Sequence, residues 1–112
     1  MSRRAVQIFD AAFADRALIV IPSPVLWEIS LLAQHGHIAL REPFDRWAGA
    51  LTSQRGVDLA ALDVDVICEA HRLAFNADPF DRAIVATARI MDLALITKDK
   101  AIVRSNLVDI AW

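Results

Sequence analysis

At 112 residues, 56% of them hydrophobic, the chain is long enough for one domain with a genuine core and too short for two. Twelve basic against fourteen acidic residues leave a net charge of −2, which argues against a protein that grips nucleic acid through a broad basic face, so any RNA is met locally. The single cysteine, Cys68, excludes an intramolecular disulfide and fits a reducing compartment, and three glycines are too few for a Gly-rich phosphate loop.

Arg3 and Arg4 lie near the start, but Asp10 and Asp15 soon interrupt the apolar residues after them, so the opening does not read as a signal peptide. The longest uncharged apolar run, Ala17 to Trp27, contains Pro22 and Pro24 and is far shorter than the ~20 residues a membrane span needs. The expectation is a soluble, cytoplasmic protein with no membrane contact. A mean hydropathy of +0.39 then fits a parallel sheet covered on both faces, together with an apolar surface for a partner chain.

Ser2 is placed to cap a first helix in which Val6, Phe9 and Phe13 recur at i, i+3 and i+7, ending near Asp15. Ala17-Leu18-Ile19-Val20-Ile21 reads as a short buried strand that Pro22 stops. With Ser23 as N-cap and Pro24 at the first helical position, a second helix runs to about Gln34, and Gly36 is its stop signal. A third comes after Pro43, with Phe44, Trp47 and Leu51 on one stripe, and Gly56 ends it. Val57 to Leu62 is the next strand. From Asp63 the stripe Val64, Ile67, Cys68, His71, Ala74 and Phe75 marks an amphipathic helix, with Cys68 a core filler and His71 a satisfied core histidine.

The stretch from Asp78 to Asp99 states its chemistry most clearly. Asp78 reads as an N-cap and Pro79 as the first helical residue. Between Ala83 and Met91 only Thr87 and Arg89 are strongly polar, so this helix is expected to be buried against a sheet. Leu93 to Ile96 is an apolar run of the kind buried on both faces of a parallel sheet. Asp81, in the first helical turn, and Asp99, just past the strand, then lie at one edge of one layer, where open α/β sheets place their ligands. A short helix from Lys100 to Arg104 and a strand around Leu107 to Ile110 close the chain. The alternation of helices and short apolar runs gives the class α/β, a single domain over residues 1–112 with a parallel sheet and right-handed crossovers.

DPFDRAIVATA followed by LALITKD resembles the carboxyl half of PIN-domain ribonucleases, in particular the VapC-type toxins of bacterial toxin–antitoxin pairs. Ser23-Pro24-Val25-Leu26-Trp27-Glu28-Ile29 resembles their second motif, in which a Trp-Glu pair opens a helix after a short strand. The likeness runs from about Ser2 to Trp112. It implies a PIN-like three-layer fold, with a short parallel sheet covered by helices on both faces. It further implies a Mg²⁺- or Mn²⁺-dependent endoribonuclease, a homodimer, an RNA substrate and inhibition by a cognate antitoxin. Glu28, Asp81 and Asp99 would be the catalytic and metal-binding acids, with Asp78, Thr97 and Arg82 positioning them or the substrate.

The residues themselves leave two readings open for each acid. Pro24, Val25, Leu31 and Leu32 surround Glu28 at helical spacing, so its carboxylate is costly to bury unless a metal, a cation or hydrogen bonds meet it. The plainer reading is a first-turn Glu favoured by the helix dipole and facing solvent. Asp81 fits a metal ligand or a capping box with Asp78. Asp99 matches the family's Thr-x-Asp motif or caps the short helix after it. The chemistry that unites them is phosphodiester hydrolysis, in which a hard divalent ion held by two or three carboxylates activates water and neutralises phosphate charge.

Arg82 and Arg89, seven apart on one helical face, reach phosphate or form a solvated face, and Lys98 and Lys100 meet RNA backbone or are soluble surface. His35 and His37 flank Gly36 at a helix end and make no convincing metal site. Trp27, Trp47 and Trp112 lack the interleaved basic residues of a stacking platform and are assigned to packing.

PIN domains of this kind begin with an apolar strand in mid-sheet ending in a metal-binding Asp, and this sequence enters the pattern after that strand: neither Asp10 nor Asp15 follows an apolar extended run. Unpaired backbone groups on the neighbouring strands would cost about 1–3 kcal/mol each, against a total stability of ~5–15 kcal/mol. The strand is expected from a start further upstream, in preference to a different pairing or another chain, and residues 1–112 alone are expected to bind metal poorly and cleave RNA weakly or not at all. The rival expectation is a PIN remnant without catalysis that serves as an antitoxin- or subunit-binding module. A receiver-like signalling domain is more remote, because its phosphate-accepting Asp also ends an early strand.

Overall fold

The computed structural model describes residues 2–75 and 78–112, and in it helices and short strands alternate as the sequence pattern demands. Helix α1 (Arg3–Phe13) starts where the Ser2 hydroxyl accepts the Ala5 N–H at 3.1 Å. Strand β1 (Ile19–Pro22) leads directly into α2 (Ser23–Gln34), and Gly36, at φ +76°, takes the left-handed turn after it. Helix α3 (Phe44–Thr52) precedes β2 (Val57–Ala60), and α4 (Val64–Arg72), α5 (Pro79–Met91) and α6 (Lys100–Ser105) complete the order.

Ser23 is not the cap of α2. Pro22 holds that position, and the Ser23 hydroxyl accepts the Leu62 N–H at 3.0 Å, tying the start of α2 to the chain leaving β2. That diversion also explains why β2 stops at Ala60 rather than Leu62: Asp63 next turns its carboxylate to the Val66 N–H and opens α4.

β1 and β2 pair in parallel, Ile19 opposite Val57 and Pro22 opposite Ala60. A second piece of parallel pairing is separate from it. The Leu95 N–H donates to the Asp109 carbonyl at 2.8 Å and the Ala111 N–H to the Leu95 carbonyl at 3.0 Å, so Leu95 bridges Ile110. The expected strands at Leu93 to Ile96 and Leu107 to Ile110 are thus each paired at one residue. Among the described residues no backbone hydrogen bond joins the β1–β2 pair to the Leu95–Ile110 pair. The class is α/β with a short parallel sheet, in keeping with a PIN-like fold.

The core centres on α5. Val85 and Ala86 are fully buried and meet Val66 and Leu73 of the α4 region and Ile102 of α6. Thr87 is buried too, its hydroxyl donating to the Ala83 carbonyl at 2.7 Å. The expectation of burial holds for the middle of α5 and fails at its end, where Arg89, Ile90 and Met91 are exposed.

Helix α4 turns inward a different face from the stripe anticipated. Val66, Ala70 and Leu73 point to the core, whereas Val64 is 72% exposed and Ile67, Cys68, His71 and Ala74 are exposed with it. Cys68 is therefore no core filler and His71 no core histidine. The helix carries two apolar stripes, and its packing on α5, where Glu69 meets Arg89, selects the one containing Val66. No helix among the described residues is long and apolar enough to cross a membrane.

Candidate active site

Between the two pieces of strand pairing lies a groove of about 840 Å³, lined by the consecutive residues 18–22 on one side and 93–97 on the other. Its walls are apolar, with side chains of α2 such as Val25 and Ile29 and of α5 such as Ile84 and Met91. Two charged residues line it, Asp81 and Asp99, both acidic and eighteen positions apart in the sequence.

Local capping sets each acid in place. Asp78 Oδ1 accepts the N–H groups of Phe80 at 2.8 Å and Asp81 at 3.4 Å, which fixes the first turn of α5 and confirms Asp78 as its cap. Asp99 Oδ1 accepts the Ile102 N–H at 3.0 Å and so caps α6, while the Thr97 hydroxyl accepts the Asp99 N–H at 3.1 Å. The Thr-x-Asp motif is thus a self-supporting turn at the groove, and one carboxylate oxygen of Asp99 is engaged in the α6 cap.

Glu28 is half-buried on α2 and does not line the groove. Its neighbour Trp27 meets Phe80, the neighbour of Asp81, edge-on with ring centroids 5.5 Å apart. That contact holds the first half of α2 against the first turn of α5, and each acid stands one residue along from it. Among the described residues no group of three or more His, Cys, Asp or Glu is arranged to hold a metal ion. The structure therefore brings Asp81 and Asp99 to one groove and leaves Glu28 beside it.

The basic residues divide. Arg82 is half-buried, with its Nε buried and without a hydrogen-bond partner. Arg89 does not form a solvated face, because its Nε donates to Glu69 Oε1 at 2.9 Å and its Nη1 to the Leu107 carbonyl at 2.7 Å. The Arg89 hydrogen bond and charge, aided by Arg72, hold the Glu69 carboxyl below its ordinary range. Lys98 lies 6.0 Å from the centre of the Trp112 ring. Trp47 and Trp112 line the groove as packing residues, whereas Trp27 is 58% exposed and packs by its contact with Phe80.

No sequence motif announces the groove itself. Its only sequence signal is the pair of apolar runs at Leu18 to Ile21 and Leu93 to Ile96, too apolar for strands with one wet face.

Comparison with curated proteins and with solved structures returned no match. The sequence profile of the PIN domain, by contrast, matches residues 2–106, a span that takes in β1, β2, both groove acids and helices α1 to α6. The chain belongs to the PIN domain family, whose members are generally nucleases.

Proposed function

We propose that this PIN domain is a metal-dependent endoribonuclease of the VapC-type toxin kind, a cytoplasmic homodimer restrained by a small cognate antitoxin. The observation that carries the reading is the pair Asp81 and Asp99, the two charged side chains on an otherwise apolar groove in a chain of nuclease family.

PIN domains usually bind a divalent metal. A hard ion that keeps several of its waters needs only one or two carboxylates from the protein, and Asp81 and Asp99 fit that requirement, with Glu28 as the proposed third acid. Mg²⁺ or Mn²⁺ would be held there and would supply an activated water together with charge neutralisation on the phosphate. Asp78 keeps the Asp81 turn in register and Thr97 does the same for Asp99. Arg82, next to Asp81, carries the positive charge proposed to meet an RNA phosphate. With a net charge of −2, RNA is engaged at this site rather than over a basic face.

One observation favours a second reading. No three-acid cluster forms among the described residues, as a PIN module that binds an antitoxin or a sister subunit without catalysis would have it. RNA cleavage by the purified chain in Mg²⁺ or Mn²⁺, against EDTA and against Asp81→Asn and Glu28→Gln, separates the two. Cleavage that needs the metal and both acids supports the nuclease. Absence of metal-dependent cleavage both in the unaltered chain and in one extended at its start by an apolar strand ending in Asp supports the binding module.

A further inference from the structure

We infer that Trp27 is a stacking surface for one unpaired base of a bound RNA, beside the phosphate that the acids address. The inference takes its ligand from the nuclease reading and adds to that reading a residue that contacts the base.

Trp is on average a well-buried side chain, yet Trp27 is 58% exposed within α2. Its ring meets Phe80 at 5.5 Å between centroids and 73° between planes. An edge-to-face pair engages one face of one ring and an edge of the other. Whichever ring supplies the edge, Phe80 leaves at least one face of the indole uncovered. The contact with the half-buried Phe80 also holds the indole against α5, so little side-chain freedom remains to be lost when a planar ligand arrives.

Place decides the ligand. Glu28 follows Trp27 on α2 and Asp81 follows Phe80 on α5, so the aromatic pair stands next to two of the acids assigned to hydrolysis. A base and its phosphate are joined through one ribose, so a residue that holds the base there also sets where the phosphate lies. Charge decides the manner of binding. A net charge of −2 leaves few phosphate contacts to supply affinity, whereas every base has a π face that stacks without regard to sign. The absence of interleaved basic residues excludes a long track along a strand, and one ring serves one base. That base is unpaired, because bases inside a duplex are already stacked on their neighbours.

The test measures binding of three end-labelled probes by fluorescence anisotropy: a short oligoadenylate, an abasic ribose-phosphate strand of equal length, and a G·C duplex of that length. Titrations are run in EDTA and again in Ca²⁺, with the strands checked for intactness on gels, so the readout does not depend on cleavage. Trp27→Leu keeps apolar bulk against Phe80 and removes the π face, and Trp27→Phe keeps a smaller one. The expected result is oligoadenylate affinity higher than that of the abasic strand by a factor of about ten or more in the unaltered chain. Trp27→Leu is expected to abolish that ratio while leaving the abasic strand's affinity unchanged, and Trp27→Phe to retain part of it. Equal affinity of the two strands for the unaltered chain overturns the inference, and this comparison needs no variant to fold. Undiminished oligoadenylate binding by Trp27→Leu, or equal loss of both strands in a folded Trp27→Leu chain, overturns it too. A duplex bound as tightly as oligoadenylate overturns the unpaired base. A base preference that depends on Trp27 in a chain that cleaves nothing in Mg²⁺ or Mn²⁺ upholds the stacking residue and removes the nuclease reading. Metal-dependent cleavage without any base preference does the reverse.

Discussion

Arg89 Nε donates to Glu69 Oε1 at 2.9 Å while Nη1 of the same guanidinium donates to the Leu107 carbonyl at 2.7 Å. One side chain on α5 thereby ties together α4 and the segment that carries Ile110 to its bridge with Leu95. Exposed ion pairs are generally worth ~1 kcal/mol or less, and here the pair is 39% and 20% exposed. The carbonyl bond adds a second contact that vanishes with the guanidinium. Arg89→Met, which keeps the stem, is expected to lower the urea unfolding midpoint. An unchanged midpoint would show that the clamp contributes nothing.

The same clamp makes stability depend on pH. Arg89, first by its hydrogen bond and then by its charge, with Arg72 adding to it, holds the Glu69 carboxyl below its ordinary value of 4.5. A carboxyl whose folded value is depressed contributes stability that is fully present above the unfolded value and is lost as pH falls through the folded one. Between pH 7 and pH 3, thermal melts of the unaltered chain are expected to fall more steeply below about pH 4.5 than those of Glu69→Gln. Parallel curves for the two would remove Glu69 from the account of acid unfolding.

Glu69 and Arg89 also mark where reading the sequence stops. Most caps and punctuation were legible because each is local: Ser2, Asp78 and Asp99 accept helix N–H groups two or three residues ahead, and Gly36 takes the left-handed turn, whereas the Ser23 hydroxyl goes to the distant Leu62 N–H instead of capping α2. The inward face of α4 was not, because Val64-Ile67-His71 and Val66-Ala70-Leu73 are equally good apolar stripes and only packing on α5 decides between them. The strands at Leu93 and Leu107 were legible as apolar runs, yet pairing depends on what lies beside them in space, and each pairs at one residue. For the site, spacing located Asp81 and Asp99 at one edge, and both line the groove. The position of Glu28 depends on the rotation of α2 about its axis, which the Trp27–Phe80 contact fixes and no sequence pattern announces.

Gly56 and Gly49 are expected to respond oppositely to the same substitution. Gly56 has φ +77°, and a Cβ there would collide with the carbonyl of Ala12, where the end of α1 passes over the entry to β2. Backbone strain alone costs about 1–3 kcal/mol for a side chain in that region, and the collision adds to it. Gly49 lies inside α3 with open space around its missing Cβ. Ala in its place removes backbone freedom from the unfolded chain and gains roughly 0.5–1 kcal/mol. Denaturant midpoints of Gly56→Ala and Gly49→Ala should therefore move down and up respectively, and a Gly56→Ala chain as stable as the parent would contradict the close approach of α1.

Asp99 carries two roles that one pair of variants separates. Its Oδ1 caps α6 through the Ile102 N–H, and in the proposed nuclease its charge helps hold the metal. Asn caps a helix about as well as Asp, so Asp99→Asn keeps the hydrogen bond and removes the charge, whereas Asp99→Ala removes both. The unfolding free energy of Asp99→Asn should stay within about 0.5 kcal/mol of the parent while Asp99→Ala loses roughly 1 kcal/mol. Metal binding and RNA cleavage, which depend on the anionic donor rather than on the cap, should fall in both variants alike, as read by Mn²⁺ titration calorimetry and by cleavage in Mg²⁺. Should Asp99→Asn cleave RNA as fast as the parent while Asp99→Ala is merely less stable, Asp99 serves the turn alone, and Asp81 is left as the one groove acid available to a metal.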